Sequence, residues 1–196
     1  MAGRLEQQKE EKKQSLVQSA WDLFLEKGVS KTSVDEIVRR ANVAKGTFYL
    51  YFRDKNDLLQ SVVDRTCTHI LRDAYEHVKR CKTDDFVENV VMLIDYIVEY
   101  FKRDKLTLRL VERNFSWPAM ERHLTLQNDP LWQNLVRDIE ESPLASTSTP
   151  DEVFKRIYMI LALCGSISYS SIIEGRPDSI DNMKPALYSA VRRILA

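Results

Sequence analysis

Glycine is scarce in this chain of 196 residues: five occur, and no two stand in a G-x-G arrangement. A glycine loop that cradles phosphate is thereby excluded. H-E-x-x-H and G-x-S-x-G are absent as well, and no cysteine–histidine dyad has supporting spacing, so the familiar hydrolytic arrangements are missing. The expectation is a protein that is not an enzyme. Proline does not occur before Pro118, and all six prolines lie from there onward, so the first 117 residues can run as long helices joined by short turns. The three cysteines, Cys67, Cys81 and Cys164, are odd in number and far apart, which argues against a disulfide framework and for reduced thiols in the cytoplasm.

Net charge is lacking too. Lys+Arg and Asp+Glu both number 29, so global positive charge is no argument for a nucleic-acid partner. Residues 1–65 hold 12 Lys and Arg against 10 Asp and Glu, so any basic surface must arise by clustering. No apolar leader opens the chain, since Met1 to Lys13 is polar and charged. The most apolar run, Ile157 to Ile173, is short for a bilayer span and carries Ser166, Ser168, Ser170 and Ser171. It reads as a buried interface helix, and no membrane partner is expected.

What is present is 44% hydrophobic and 30% charged residues, the composition of a globular protein. Its most informative stretch is residues 33–59, SVDEIVRRANVAKGTFYLYFRDKNDLL. Before it, Leu16, Ala20, Leu23 and Phe24 fall on one stripe of a helix from about Lys9 to Lys27, and Gly28 suits a left-handed cap. Ser33 and Glu36 form an S-x-x-E capping box for a short helix that buries Val34, Ile37, Val38 and Ala41. Asn42 stands where the chain must turn. The next helix, about Lys45 to Phe52, buries Phe48 and Phe52 and exposes Lys45, Thr47, Tyr49 and Leu50, while Gly46 leaves room for a phosphate or base edge. Asp54 caps a long helix in the pattern D-x-x-D, with Leu58 and Leu59 returning to the shared core. Helices this short must share one small core, as in helix-turn-helix modules that project a reading helix.

The segment resembles the tetracycline-repressor (TetR) family of transcriptional regulators. The residues that carry the likeness are Thr32-Ser33, Ile37, the run Ala41-Asn42-Val43-Ala44-Lys45-Gly46-Thr47-Phe48-Tyr49-Leu50-Tyr51-Phe52, Lys55 and Leu58-Leu59. Three residues depart from the usual pattern: Val38 for alanine, Asn42 for glycine, and Ala44 for serine, which removes a side-chain cap from the reading helix. The resemblance covers about the first 60 residues. It implies that Tyr49 and Lys55 hold phosphates with Thr32 and Ser33 assisting, and that Lys45 and Thr47 face base edges beside Gly46.

The expected fold is all-α, with a three-helix helix-turn-helix domain at 1–65 and an effector-binding and dimerisation domain at 66–196. The module's last helix continues through Val63, Cys67, Ile70, Ala74 and Val78. A helix from about Asp84 to Arg103 is apolar on nearly every side and belongs at a domain centre. Further helices are expected at Leu106–Arg113, Pro130–Glu140 and Pro150–Ile173, the last two separated by a turn-rich stretch, Ser142–Thr149. The final helix places Pro185 in its first turn. Ile157, Leu161, Cys164, Gly165, Ser168, Leu187, Val191 and Ile194 are candidates for an isologous homodimer interface, which the resemblance also implies. A pocket for a small organic effector draws on Asp95, Tyr96, Arg109, Arg113, Phe115, Trp117, Trp132 and Tyr169, with Arg109 or Arg113 pairing Asp95. His69, Asp73, His77 and Cys81 recur every four residues, yet the row drifts around the axis and reads as a polar flank, so neither a metal nor another cofactor is expected. The leading reading is a homodimeric repressor released from a palindromic double-stranded DNA operator by its effector. The alternative is a helical small-molecule or metal carrier with a vestigial DNA module.

Overall fold

The computed structural model describes residues 2–81, 83–115, 118, 120–122 and 129–196, with side chains from residue 6 onward. Among them there is no strand. Two compact units emerge: Met1–Thr66 with Arg113–Ser116, and Cys67–Glu112 with Trp117–Ala196.

In the first unit, α1 (Ala2–Lys27) packs against α2 (Val34–Arg40) and α3 (Lys45–Tyr51). Leu16, Ala20, Phe24, Ile37, Phe48, Phe52, Leu58 and Val62 form the core. Each junction has a local cause. Gly28 closes α1 at φ 85°, and Asn42 turns the chain between α2 and α3 at φ 54°, a conformation asparagine tolerates better than most. Ser33 Oγ accepts the Glu36 N–H at 3.3 Å while Glu36 Oε2 accepts the Ser33 N–H at 2.9 Å, completing the capping box. Asp54 accepts the Asp57 N–H at 2.9 Å, and Asp57 accepts that of Arg53 at 2.9 Å, starting α4 (Lys55–Cys81).

In the second unit, α5 (Phe86–Arg103), capped by Asp85, is followed by α6 (Lys105–Asn114). Then come α7 (Pro130–Glu140), α8 (Pro143–Thr147), α9 (Pro150–Tyr169) and α10 (Ile180–Leu195). The core joins Ile70, Val91, Ile94, Val98, Leu108, Ile160, Leu187 and Val191. Tyr75 on α4 donates to Asp138 on α7 at 2.7 Å, and Arg72 pairs with Asp129 at 2.5 Å. A π turn, Ser170–Glu174, prolongs α9 until Gly175 ends it at φ 68°.

Two sequence expectations change. The stretch 142–149 contains the short helix α8, opened by Pro143 in its first turn, where no backbone donor is required, and burying Leu144 (4% exposed). Pro185 lies inside α10 and not in its first turn. The Ser179 hydroxyl accepts the Asn182 N–H, which starts the helix earlier than the proline alone suggests.

Candidate nucleic-acid interface

Helix α3 has only seven residues, too few to be stable alone. Burial of Phe48 (0% exposed) and Phe52 (3%) fixes it, at about 1.5–3 kcal/mol for each such side chain. Its N-cap is Ala44, which makes no side-chain cap bond, as the missing serine implies. The opposite face is open: Lys45 and Gly46 are exposed, Thr47 is half-buried, and Tyr49 and Leu50 are exposed. Lys45 pairs with Asp35 of α2 at 2.7 Å. That carboxylate's hydrogen bond raises the Lys45 ammonium above its ordinary value, so it stays protonated. A Cβ added at Gly46 would meet nothing within 4 Å.

Ser33 is exposed at the start of α2, its hydroxyl bonded to Glu36 at 2.8 Å. Glu36 also receives Lys27, whose hydrogen bond is the largest influence holding its carboxyl at about 2. Two other candidates sit differently from the sequence expectation. Thr32 is buried, its hydroxyl donating to the Gly28 carbonyl at 2.9 Å, so this side chain belongs to the α1–α2 joint and not to a phosphate. Lys55 is half-buried, and its ammonium donates to the carbonyls of Val29 and Thr32, each at 2.8 Å. The Val29 carbonyl also accepts the Thr32 N–H at 3.2 Å, so the lysine adds a charged donor to a turn that the backbone already closes. At most one of its three donors is left for a phosphate. Sequence reasoning missed Asp35 as the partner of Lys45, since the pair forms only when α2 and α3 pack.

The described effector candidates are spread over α5, α6, α7 and α9, with Phe115 just beyond α6. Asp95 faces α10, where Lys184 donates to it at 2.7 Å and the Tyr188 hydroxyl at 2.5 Å. This corrects the expected pairing with Arg109 or Arg113, both of which are exposed on α6. Burial opposes the Asp95 charge, but the two hydrogen bonds outweigh it and hold the carboxyl below its ordinary value. Tyr96 packs on His77 at 5.1 Å between ring centroids. Trp132 is fully buried on α7, Tyr169 is half-buried on α9, and Phe115 is exposed. Trp117 lies outside the described residues. A cavity of about 480 Å³ lies elsewhere in the second unit, bounded by Asp84, Asp85, Phe86, Pro143, Leu144 and Leu195.

The interface candidates divide as well. Leu187 (1% exposed), Val191 (0%) and Ser168 (3%) are buried within their own chain and offer nothing to a second copy. Ile157, Leu161, Cys164, Gly165 and Ile194 keep partial exposure. Burial pushes the Cys164 thiol up to about 12, which makes it inert. Along the His69 row the one ion pair is His69–Asp73 at 3.7 Å, and no group of three metal-binding side chains converges among the described residues.

Residues 16–62 match the family model described as bacterial regulatory proteins, tetR family. Over 60 residues the chain is 42% identical to the uncharacterised HTH-type transcriptional regulator YvdT of Bacillus subtilis, covering 31% of each. Over 112 residues it is 35% identical to the transposon Tn10 TetC protein of Escherichia coli, covering 56% of this chain and 55% of that one. These matches span from 31% to 55% of the length of those two relatives. Solved structures match nearly end to end. RolR in complex with resorcinol aligns over 97% of this chain and 95% of its own at TM-score 0.68 and 19% identity. FadR of Bacillus subtilis in complex with stearoyl-CoA aligns over 91% and 96% at TM-score 0.61 and 16% identity. At such identities the likeness is one of fold.

Proposed function

Through residues 16–62 this chain belongs to the TetR family of bacterial regulatory proteins, and we propose that it is a non-enzymatic, ligand-responsive transcriptional repressor acting in the cytoplasm. The observation that carries the reading is α3 itself, a helix pinned by two buried phenylalanines with Lys45, Tyr49 and Leu50 turned to solvent. Such a helix enters a major groove, with Lys45 and Thr47 at base edges and Tyr49 and Ser33 at phosphates. Similar folds hold a phenol in RolR and an acyl-CoA in FadR, which supports a small organic effector in the second unit. Helix α4 carries Leu58, Leu59 and Val62 of the module core and Ile70 of the second core, so a shift of this helix reaches the anchorage of α3. Coupling of about 1–3 kcal/mol is the usual scale for such a link.

The operator is a palindrome read by a homodimer. Support comes from the helical stretch Pro150–Glu174, whose most apolar window has a mean hydropathy of 1.5 yet is only 22% buried. Tyr158 (48% exposed) and Met159 (47%) stand on its outer face with Ala162, Gly165 and Ser166. Ala186, Ser189 and Ala190 stand on α10. Small residues on both helices permit close approach of a second copy, and helix-turn-helix dimers engage half-sites about 34–36 Å apart.

The test is selection of duplexes from fragments of the source genome by the full chain at low and moderate salt. A recovered palindrome bound by the dimer is the expected result. Failure to retain any duplex, even at low salt, overturns the proposal.

A further inference from the structure

Leu50 is 79% exposed, more than any other large hydrophobic residue among those described. At about 100° per residue, it lies about 180° round α3 from the mean direction of Phe48 and Phe52, at the outward pole of the helix. One turn earlier on that pole is Gly46, with nothing near its Cβ position. The Gly46 turn therefore leaves the leucine the one side chain at this pole of the helix. The polar residues sit to the flanks: Lys45 and Tyr49 on one side, Thr47 on the other. The tip of the helix is therefore a smooth apolar knob.

An apolar tip gains nothing from phosphate, which needs donors. In a major groove the one apolar group offered by any base pair is the C5-methyl of thymine. We propose that Leu50 is a specificity-determining residue that packs on a thymine methyl in each operator half-site. This deepens the DNA-binding reading above and rests on it. Burying one methyl is worth about a fourfold change in affinity, so both half-sites together amount to about 15-fold.

The experiment uses the full chain and the tightest duplex recovered by selection. Each thymine is replaced in turn by deoxyuridine, which removes only the methyl, and affinity is read by fluorescence anisotropy. Expected is one position per half-site where the replacement weakens the unsubstituted protein about fourfold. Leu50→Ala, a surface change whose fold is checked by circular dichroism, should lose sensitivity at that position alone. The inference is overturned if no deoxyuridine weakens binding, if no thymine occurs in the selected half-site, or if Leu50→Ala stays equally sensitive. In each of those outcomes DNA binding persists, whereas failure to select any duplex removes the DNA reading itself.

Discussion

The Asp35 carboxylate of α2 holds the Lys45 ammonium of α3 at 2.7 Å, so the cation that opens α3 is already engaged within the fold. Removing the anion frees the cation and deletes a charge that repels phosphate. Asp35→Ala should bind every duplex more tightly and with a steeper salt dependence, by about one further released ion. Titrations at several salt concentrations check this, and an unchanged slope would contradict it.

Lys55→Met tests whether this lysine is chiefly a structural donor. The Val29 and Thr32 carbonyls lose their charged partner, at a cost of about 1.5–3 kcal/mol, and the melting temperature falls. Lys45→Ala, on the exposed face, should leave melting unchanged and alter sequence preference. If Lys55→Met melts normally yet binds all duplexes weakly, its main role is at a phosphate.

Gly46→Ala should leave the module as stable as before, or more stable by about 0.5–1 kcal/mol, because nothing surrounds the added methyl and alanine favours helix. DNA affinity should nevertheless fall, since the methyl occupies space the groove wall would use. Thermal melting and anisotropy together decide, and full retention of affinity would mean that DNA does not approach there.

Met159→Glu places a charge on the outer face of α9, where the side chain is 47% exposed. Sedimentation should show a folded monomer in place of a dimer. A dimer that survives the change would locate the interface elsewhere.

The Glu36 carboxyl is held at about 2 against an ordinary 4.5, first by Lys27 and then by the Ser33 N–H and hydroxyl. Its folded value is the lower one, so its stabilisation is complete above about pH 4.5 and is lost as pH falls toward 2. Melting temperature should drop over that window more steeply than in Glu36→Gln. Parallel curves would remove Glu36 from the account of acid sensitivity.

The module was readable from local chemistry. Gly28, the Ser33–Glu36 box, Asn42 and Asp54 each act within a few residues, and the spacing of Leu16, Ala20, Ile37, Phe48 and Phe52 names the shared core. Thr32 and Lys55 misled because a motif states which residues recur but not which way each one points. Their hydroxyl and ammonium go to carbonyls 4 and 23–26 residues away, and in the case of Lys55 the direction depends on how α4 docks against the α1–α2 joint.

In the second unit the distances are longer still. Asp95 finds Lys184 and Tyr188, some 90 residues on, because α5 packs against α10, and no pattern near Asp95 encodes that choice. Periodicity likewise marks α10 as amphipathic without saying that its own chain already covers Leu187 and Val191. Sequence alone thus determined most of the helices, most of their caps and the open face of α3, since these follow from backbone propensity and nearest neighbours. Only the packed fold decided which polar atoms are already satisfied and which apolar face is left over, because both depend on contacts between residues far apart in the chain.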